Sequence, residues 1–297
     1  MTIVSVVQRT PLPVTALLWA ETRPVVQAIF AVRYWVGALV VLAGGGAFGP
    51  AVVLGSLGWL LLTMSIYLVN GVSDLTADRA NGSDRPLARG LIGAHGAVRV
   101  AWALAAASLL LTALTGTLAL VLCAVAMGVL GWAYSVGPHP LKNSVAGTAV
   151  ASAGGGLLTY LAGAAAAGGL PDGPYVAVFV LLALWMAVAG AAKDLGDRSG
   201  DEAAGRRTLP VVAGHRAATR VIAAGCLALG TTTVVVAGTW PEVLLPALVL
   251  CLGAVVVAVL ALRTREDLPR ALVRRPYRAF MVTQYAVNPA LLLSVLV

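Results

Sequence analysis

Residues 51–78 read AVVLGSLGWLLLTMSIYLVNGVSDLTAD, an apolar run that ends in two aspartates. The part 51–72 is long enough to cross a bilayer as a helix, which takes about 20 residues. Asp74 and Asp78 follow directly at its end. A second apolar run ends in the same way, at Lys193-Asp194-Leu195-Gly196-Asp197-Arg198-Ser199-Gly200-Asp201. Because carboxylates at a membrane edge are costly and usually functional, these two acidic clusters are the first candidates for a site.

The composition excludes an ordinary water-soluble fold. Hydrophobic residues make up 60% of the 297 residues and charged residues only 11%, whereas soluble domains are about 25% charged. Helices satisfy their own backbone hydrogen bonds inside lipid. The three cysteines lie within apolar stretches, in a spacing that suits neither a disulfide framework nor a zinc site. The sequence therefore predicts an all-α polytopic membrane protein.

Nine apolar runs are long enough to span a membrane. They lie at 25–45, 51–72, 97–115, 117–135, 144–166, 174–193, 217–238, 242–262 and 279–297. We expect one domain over 1–297, with nine transmembrane helices bundled around a central cavity. Residues 1–24 form a short lead-in, and 73–96 and 194–216 form the two motif loops.

The basic residues support the count and predict the orientation. With nine spans, the connections at 46–50, 116, 167–173 and 239–241 carry no Lys or Arg. All twenty basic residues except Arg33, which lies inside the first span, fall on the side of the N-terminus. Cytoplasmic loops carry the Lys/Arg excess. We therefore expect a multi-pass protein of the cell membrane with a cytoplasmic N-terminus. We interpret the net charge of +8 as an orientation signal and not as a nucleic-acid-binding surface.

The spacing within each acidic cluster suggests a metal site. Asn70, Asp74 and Asp78 stand at i, i+4 and i+8, while Asp194, Asp197 and Asp201 stand at i, i+3 and i+7. On a helix each set forms one stripe of oxygen donors. Mg²⁺ takes oxygen ligands and is typically held by one or two carboxylates plus substrate phosphates. The six residues are the predicted metal ligands; the alternative is that they are solvated helix ends or pair with nearby arginines.

Basic residues beside the carboxylates indicate a polyanionic ligand. Carboxylates, Mg²⁺ and Arg or Lys together suit a phosphate or diphosphate. The candidate cations in the loops are Arg85, Arg89, Lys142, Lys193, Arg206 and Arg207. Arg33 either snorkels to the interface or reaches the site.

At these residues the chain resembles the UbiA superfamily of intramembrane prenyltransferases. The family pattern NxxxDxxxD matches Asn70, Asp74 and Asp78, and DxxDxxxD matches Asp194, Asp197 and Asp201. Tyr134-Ser135 followed by Pro140-Leu141-Lys142 is similar to a further loop of the family. Gly71 departs from the NDxxDxxxD form of the first motif, which has an acid at this position.

The resemblance implies Mg²⁺-dependent transfer of an isoprenyl group from a prenyl diphosphate to an aromatic or other lipophilic acceptor. It makes Asp74, Asp78, Asp194, Asp197 and Asp201 the catalytic residues. The substrate-binding residues it implies are Asn70, Arg85, Tyr134, Lys142, Lys193, Arg207, Tyr67 and Tyr160, and an allylic cation would be stabilised by aromatic faces, Trp185 included. The active site would face the cytoplasm.

Two other functions use the same features. A terpene cyclase of the same superfamily would ionise the same diphosphate and capture the cation intramolecularly. A transporter would want its acids near the bilayer midplane, often at broken helices. Here the acids lie at the ends of the spans, which counts against transport.

Overall fold

The computed structural model describes residues 12–296. Its helices are α1 (Val14–Glu21), α2 (Pro24–Ala43), α3 (Pro50–Ser73), α4 (Leu75–Ala80), α5 (Ala94–Leu114), α6 (Leu118–Ser135), α7 (Val145–Ala166), α8 (Gly173–Gly190), α9 (Ala192–Leu195), α10 (Arg198–Ala203), α11 (Leu209–Ala213), α12 (His215–Thr239), α13 (Leu244–Leu262), α14 (Arg270–Val273) and α15 (Arg275–Leu296). Short 3₁₀ turns at Leu141–Asn143 and Pro241–Val243 precede α7 and α13.

Within the described residues, nine helices are long and apolar enough to cross a membrane, which confirms the predicted all-α, nine-span fold. Most bounds agree with the apolar runs to within a few residues. The last helix begins at Arg275 instead of 279, because its first turn is polar and gave no apolar signal. Of the predicted lead-in 1–24, Val14–Glu21 is helical, and residues 1–11 lie outside the described part.

Helices α2 and α7 form the centre of the bundle. A Cβ atom on Gly37 would lie 2.0 Å from the carbonyl oxygen of Tyr160, and one on Gly163 would lie 1.8 Å from that of Tyr34. Such small residues let membrane helices approach backbone to backbone. Both helices contribute to the two buried apolar clusters, one shared with α3 and α6 and the other with α8, α12, α13 and α15. The cavity described below is lined partly by this central pair.

Neither acidic stripe lies on one uninterrupted helix. In the first cluster α3 ends at Ser73, and Asp74 has φ −97° and ψ 0° before α4 begins. In the second, α9 ends at Leu195, and α10 begins after Asp197. The breaks come where the chain leaves the apolar region. As a result, the carboxylates of one cluster do not all point the same way.

Candidate active site

A cavity opens among α2, α3, α6, α7, α8 and α15, at the end of the bundle where the acidic clusters lie. Six of the predicted site residues line it: Tyr67, Asn70, Asp74, Tyr134, Lys193 and Asp194. Its remaining wall is largely apolar and aromatic, with Phe30, Tyr277 and Phe280 among the lining residues. The cavity therefore joins a polar end to an apolar chamber within the bundle.

Asp74 is the centre of the polar end. Its Oδ1 accepts a hydrogen bond from Lys142 Nζ at 2.7 Å and pairs with the Arg206 guanidinium. Its Oδ2 accepts from Asn70 Nδ2 at 2.9 Å. Burial opposes ionisation of this carboxyl, but the charges of Lys142 and Arg206 outweigh it and lower the pKa of Asp74 to about 2. Asp74 is therefore a fixed anion that joins three of the loops at this end.

Asp78 turns away from the cavity lining and pairs with Arg85, whose Nη1 lies 2.8 Å from Asp78 Oδ2. The same nitrogen lies 4.0 Å from Asp74 Oδ2. Arg85 also contacts Glu21, a residue that the sequence patterns did not single out. The first motif is thus held by protein cations in this structure.

Asp197 is held by the segment that precedes the last span. Arg270 Nη2 donates to Asp197 Oδ1 at 2.6 Å, and Arg274 Nη2 and Lys193 Nζ lie 3.9 Å and 3.6 Å from Oδ2. Burial opposes ionisation here too, yet these cations lower the pKa of Asp197. Asp197 does not line the cavity, and it connects the second motif loop to the start of α15.

Arg270 forms hydrogen bonds to both motif loops and so connects them. Besides Asp197, it donates from Nε to the carbonyl oxygen of Gly196 at 3.0 Å and from Nη1 to that of Asn81 at 2.7 Å. Hydrogen bonds of charged groups contribute about 1.5–3 kcal/mol each. We expect Arg270→Ala to lower the free energy of unfolding by about 2 kcal/mol and to reduce activity through misplaced loops. The measurement is thermal unfolding in detergent.

The neighbouring Arg275→Ala is the matched control, because Arg275 is exposed and begins α15, shortly after Arg270 in α14. It should leave the unfolding midpoint unchanged. Equal unfolding midpoints for the Arg270 and Arg275 variants would contradict the proposed role of Arg270 in connecting the two loops.

Of the two adjacent arginines in the second motif loop, Arg206 contacts Asp201 and faces the site, and Arg207 does not. Arg206 is buried and its Nη1 lies 3.4 Å from Asp201 Oδ1, while Thr208 Oγ1 donates to Oδ2 at 3.2 Å. Burial raises the pKa of Asp201 despite the nearby Lys193 and Arg206. Arg207, one of the predicted substrate-binding residues, has an exposed side chain, and its backbone N–H donates to Asn143 O at 3.0 Å. Arg206 therefore occupies the position expected of its neighbour.

The predicted aromatic residues divide into two groups. Tyr67 and Tyr134 line the cavity. Tyr160 is stacked on Phe179 with ring centroids 4.4 Å apart, and its hydroxyl donates to Asn288 Oδ1 at 2.8 Å. Tyr160 and Trp185 are fully buried and are not among the lining residues, so they lie in the packing around the chamber.

Two arginines of the first span region line the cavity. Arg33 is buried with its guanidinium 5.7 Å from the Phe30 ring centroid, so it points inward instead of snorkelling. Arg23 also lines the cavity and has a φ of +58°, a left-handed conformation that is rare outside glycine. Such strained residues cluster at functional sites. No sequence pattern singled out Arg23, because an arginine just before a helix is also an ordinary orientation charge.

The oxygen donors of the cavity suit a hard cation whose remaining ligands come from a bound phosphate or from water. Within residues 12–296, no group of three or more His, Cys, Asp or Glu side chains lies close enough to form a preassembled metal site. Asn70, Asp74 and Asp194 present oxygen donors at the cavity wall. Mg²⁺ is commonly held by one or two carboxylates together with substrate phosphates, so these three residues fit it. Asp78, Asp197 and Asp201 do not line the cavity and are paired with arginines, and their predicted role as metal ligands stays a prediction.

Known proteins resemble this chain in sequence and in fold. A digeranylgeranylglyceryl phosphate synthase of Halobacterium salinarum is 33% identical over 253 residues, which cover 82% of this chain and 86% of that protein. A UbiA homolog from Archaeoglobus fulgidus bound to DMAPP and Mg²⁺ has the same fold, with a TM-score of 0.67 at 19% identity over 92% of this chain and 99% of that one. Its structure bound to GPP and Mg²⁺ gives a TM-score of 0.65 at 20% identity, over 92% and 99% of the two chains.

A model of a whole protein family also matches most of the chain. The model of the UbiA prenyltransferase family matches residues 30–282, which include both acidic clusters, all the loops between them and most of the nine spans. The chain therefore belongs to the UbiA prenyltransferase family.

Proposed function

We propose that this protein transfers an isoprenyl group from a prenyl diphosphate to a lipophilic acceptor, with Mg²⁺ bound by Asn70, Asp74 and Asp194. The observation that carries the proposal is the cavity itself, whose wall changes from oxygen donors and cations to apolar and aromatic side chains. This polarity matches a ligand with an anionic head and a hydrocarbon tail. The segregated basic residues support a cytoplasmic N-terminus and a site that faces the cytoplasm.

The cations at the polar end would bind the diphosphate. Lys193 and Arg23 line the cavity, and Lys142 and Arg206 reach its edge through Asp74. Mg²⁺, when bound, would stabilise negative charge on the departing diphosphate. Asp74 holds Lys142 and Arg206 in place beside the cavity, where negative charge would accumulate on the phosphate oxygens. Preorganised charges of this kind usually supply the largest part of such catalysis.

The aromatic wall would protect and stabilise the allylic cation. Tyr67 and Tyr134 lie where the polar end meets the chamber, and Phe30 and Phe280 continue the wall. Each cation–π contact contributes about 0.5–2 kcal/mol. The same wall excludes water, which would otherwise capture the cation. The acceptor then attacks the cation and loses a proton.

Transfer to a separate acceptor is favoured over cyclisation by the relatives. The Halobacterium salinarum protein is named as a synthase of digeranylgeranylglyceryl phosphate, a prenylated lipid. The Archaeoglobus fulgidus homolog is described with DMAPP and GPP, and both structures contain Mg²⁺. We therefore propose a prenyl diphosphate as donor and a lipophilic or aromatic molecule as acceptor.

The test is turnover by the purified protein in detergent with geranyl, farnesyl or geranylgeranyl diphosphate and a panel of aromatic and glycerol-phosphate acceptors. We expect prenylated product and released diphosphate by mass spectrometry, abolished by EDTA and restored by Mg²⁺. If a cyclic hydrocarbon forms in the absence of acceptor, the protein is a cyclase and the proposed transfer is wrong. Intact diphosphate under every condition would overturn both.

A further inference from the structure

A carboxylate from another helix fills the space beside Gly71 in the first motif. A Cβ atom on Gly71 would lie 2.3 Å from Glu21 Oε1 and 2.6 Å from Arg85 Nη2. Real Cβ atoms essentially never come this close to other heavy atoms, so a side chain at residue 71 would displace the ends of Glu21 and Arg85. Both of these side chains are buried and paired with each other, and glycine at 71 leaves the space in which they meet.

Glu21 is built into this position by several contacts. It is the last residue of α1 and is completely buried. Its Oε2 accepts a hydrogen bond from the backbone N–H of Leu87 at 2.9 Å. Its Oε1 forms an ion pair with Arg85 Nη2 at 2.6 Å, in an orientation outside that of a directed hydrogen bond. A buried carboxylate is stable only when it is paired in this way.

Arg85 passes this contact on to the acidic motif. Its Nη1 lies 2.8 Å from Asp78 Oδ2, and its Nη2 reaches the carbonyl oxygens of Glu21 at 3.3 Å and Tyr67 at 3.4 Å. Arg85 is itself buried, so both of its carboxylate partners are held in fixed positions. The series of contacts Glu21–Arg85–Asp78 thus joins α1, the first motif loop and α4, and the contact of Arg85 with Tyr67 adds α3.

We propose that Glu21 is a positioning residue for the diphosphate and Mg²⁺ end of the cavity, acting through Arg85. It fixes the direction of the Arg85 guanidinium, and Arg85 then holds the segment from Tyr67 to Asp78. That segment carries Asn70 and Asp74, which line the cavity. Glu21 does not line the cavity itself, and it lies before residue 30, where the match to the family begins. The inference rests on the proposed function.

The geometry allows the carboxylate to be moved from one helix to the other. Glu21→Ala removes it, and Gly71→Asp alone places a second acid in occupied space. The double variant Glu21→Ala with Gly71→Asp removes the 2.3 Å contact with Glu21 Oε1 and returns a carboxylate next to Arg85, whose side-chain end, 2.6 Å from the new Cβ, can move into the space that Glu21 leaves. Glu21→Gln keeps an acceptor for the Leu87 N–H and removes only the charge. Glu242→Ala, which removes an exposed acid from the connection before α13, is the control.

The measurement is the Mg²⁺ concentration that gives half-maximal binding of geranyl diphosphate, together with the KM for this donor and the unfolding midpoint. Loss of an outer partner of a metal site typically costs about 10–100-fold in metal affinity or activity. We expect a rise of this size for Glu21→Ala, a smaller one for Glu21→Gln, and none for Glu242→Ala. The double variant should recover at least half of the loss on a logarithmic scale, which a purely structural defect would not show.

Two results would overturn the positioning role. One is a folded Glu21→Gln or Glu21→Ala protein with the parent's Mg²⁺ dependence. The other is a folded double variant that binds no better than Glu21→Ala. If Glu21→Ala does not fold, Glu21→Gln decides. A parent that binds geranyl diphosphate with Mg²⁺ but transfers nothing would overturn the proposed function alone, and a parent that does not bind it would overturn both.

Discussion

Replacing Asp74 by Asn should lower kcat/KM by about 10²–10³-fold, the usual effect of removing one preorganised electrostatic contact to a reacting group. Asp74 is both a cavity-lining donor and the partner of Lys142 and Arg206. Without its charge, these two cations face each other with no anion between them. Removing one partner of a buried ion pair costs about 3–5 kcal/mol, so this variant should also be less stable.

The stability effect has a defined pH dependence. The pKa of Asp74 is lowered from 3.8 to about 2, because Lys142 and Arg206 outweigh the burial that opposes ionisation. The ionised carboxylate therefore stabilises the folded protein at every pH above the unfolded value of 3.8, and this contribution is lost as the pH falls through about 2. The difference in unfolding free energy between parent and Asp74→Asn should be constant near neutral pH and shrink over that acidic range.

Asp84→Asn is the matched control, since Asp84 is exposed in the same motif loop. It should keep the parent's activity and unfolding midpoint. Parent-like kcat/KM in Asp74→Asn would exclude Asp74 from the site.

The sequence predicted the spans because a membrane imposes one strong and local rule. A helix must be apolar for about 20 residues, and that property can be read from 51–72 without any knowledge of its neighbours. The alternation of connections with and without Lys or Arg then set the count at nine, which the structure confirms for the residues it describes. The polar start of α15 escaped this rule because its first turn carries Arg275 and Arg278.

The pairing of charges in the loops could not be read in this way. Arg206 and Arg207 are adjacent and identical in type, and only the fold of the loop decides that the first is buried and the second exposed. Glu21 and Arg270 lie far along the chain from the motifs they contact. The departure at Gly71 was visible in the sequence, but its physical reason, the Glu21 carboxylate, is a tertiary contact.

The helical spacing of the acidic residues correctly predicted that they cluster, but it wrongly predicted that all their side chains point toward one site. Asn70 and Asp74 both line the cavity, as the i, i+4 spacing predicts for one face. The helix is interrupted at Asp74, however, and Asp78 meets Arg85 outside the lining. A stripe drawn on an ideal helix therefore overestimates how many carboxylates share a target when the helix ends within the motif.

Asp194 gives the sharpest contrast with these paired acids. It lines the cavity, and among the described residues its carboxylate has neither a hydrogen bond nor an ion pair within 4 Å, whereas Asp197 contacts Arg270 and Arg274. Its carboxyl is partly buried, and the favourable charges of Lys193 and Arg206 are opposed by the like charges of Asp201 and Asp197. An acid in this position costs free energy in the absence of a cationic ligand. Such a cost at a cavity wall is typical of a functional residue.

Asp194→Asn should therefore lower kcat/KM by about 10²–10³-fold while leaving the unfolding midpoint unchanged or raised. Asp197→Asn is the comparison: it should lower the midpoint, because Arg270 and Arg274 lose their shared anion. Unfolding in detergent and donor kinetics over a Mg²⁺ series separate the two effects. Full activity in Asp194→Asn would remove it from the site, and a midpoint lowered as far as in Asp197→Asn would show that its role is structural.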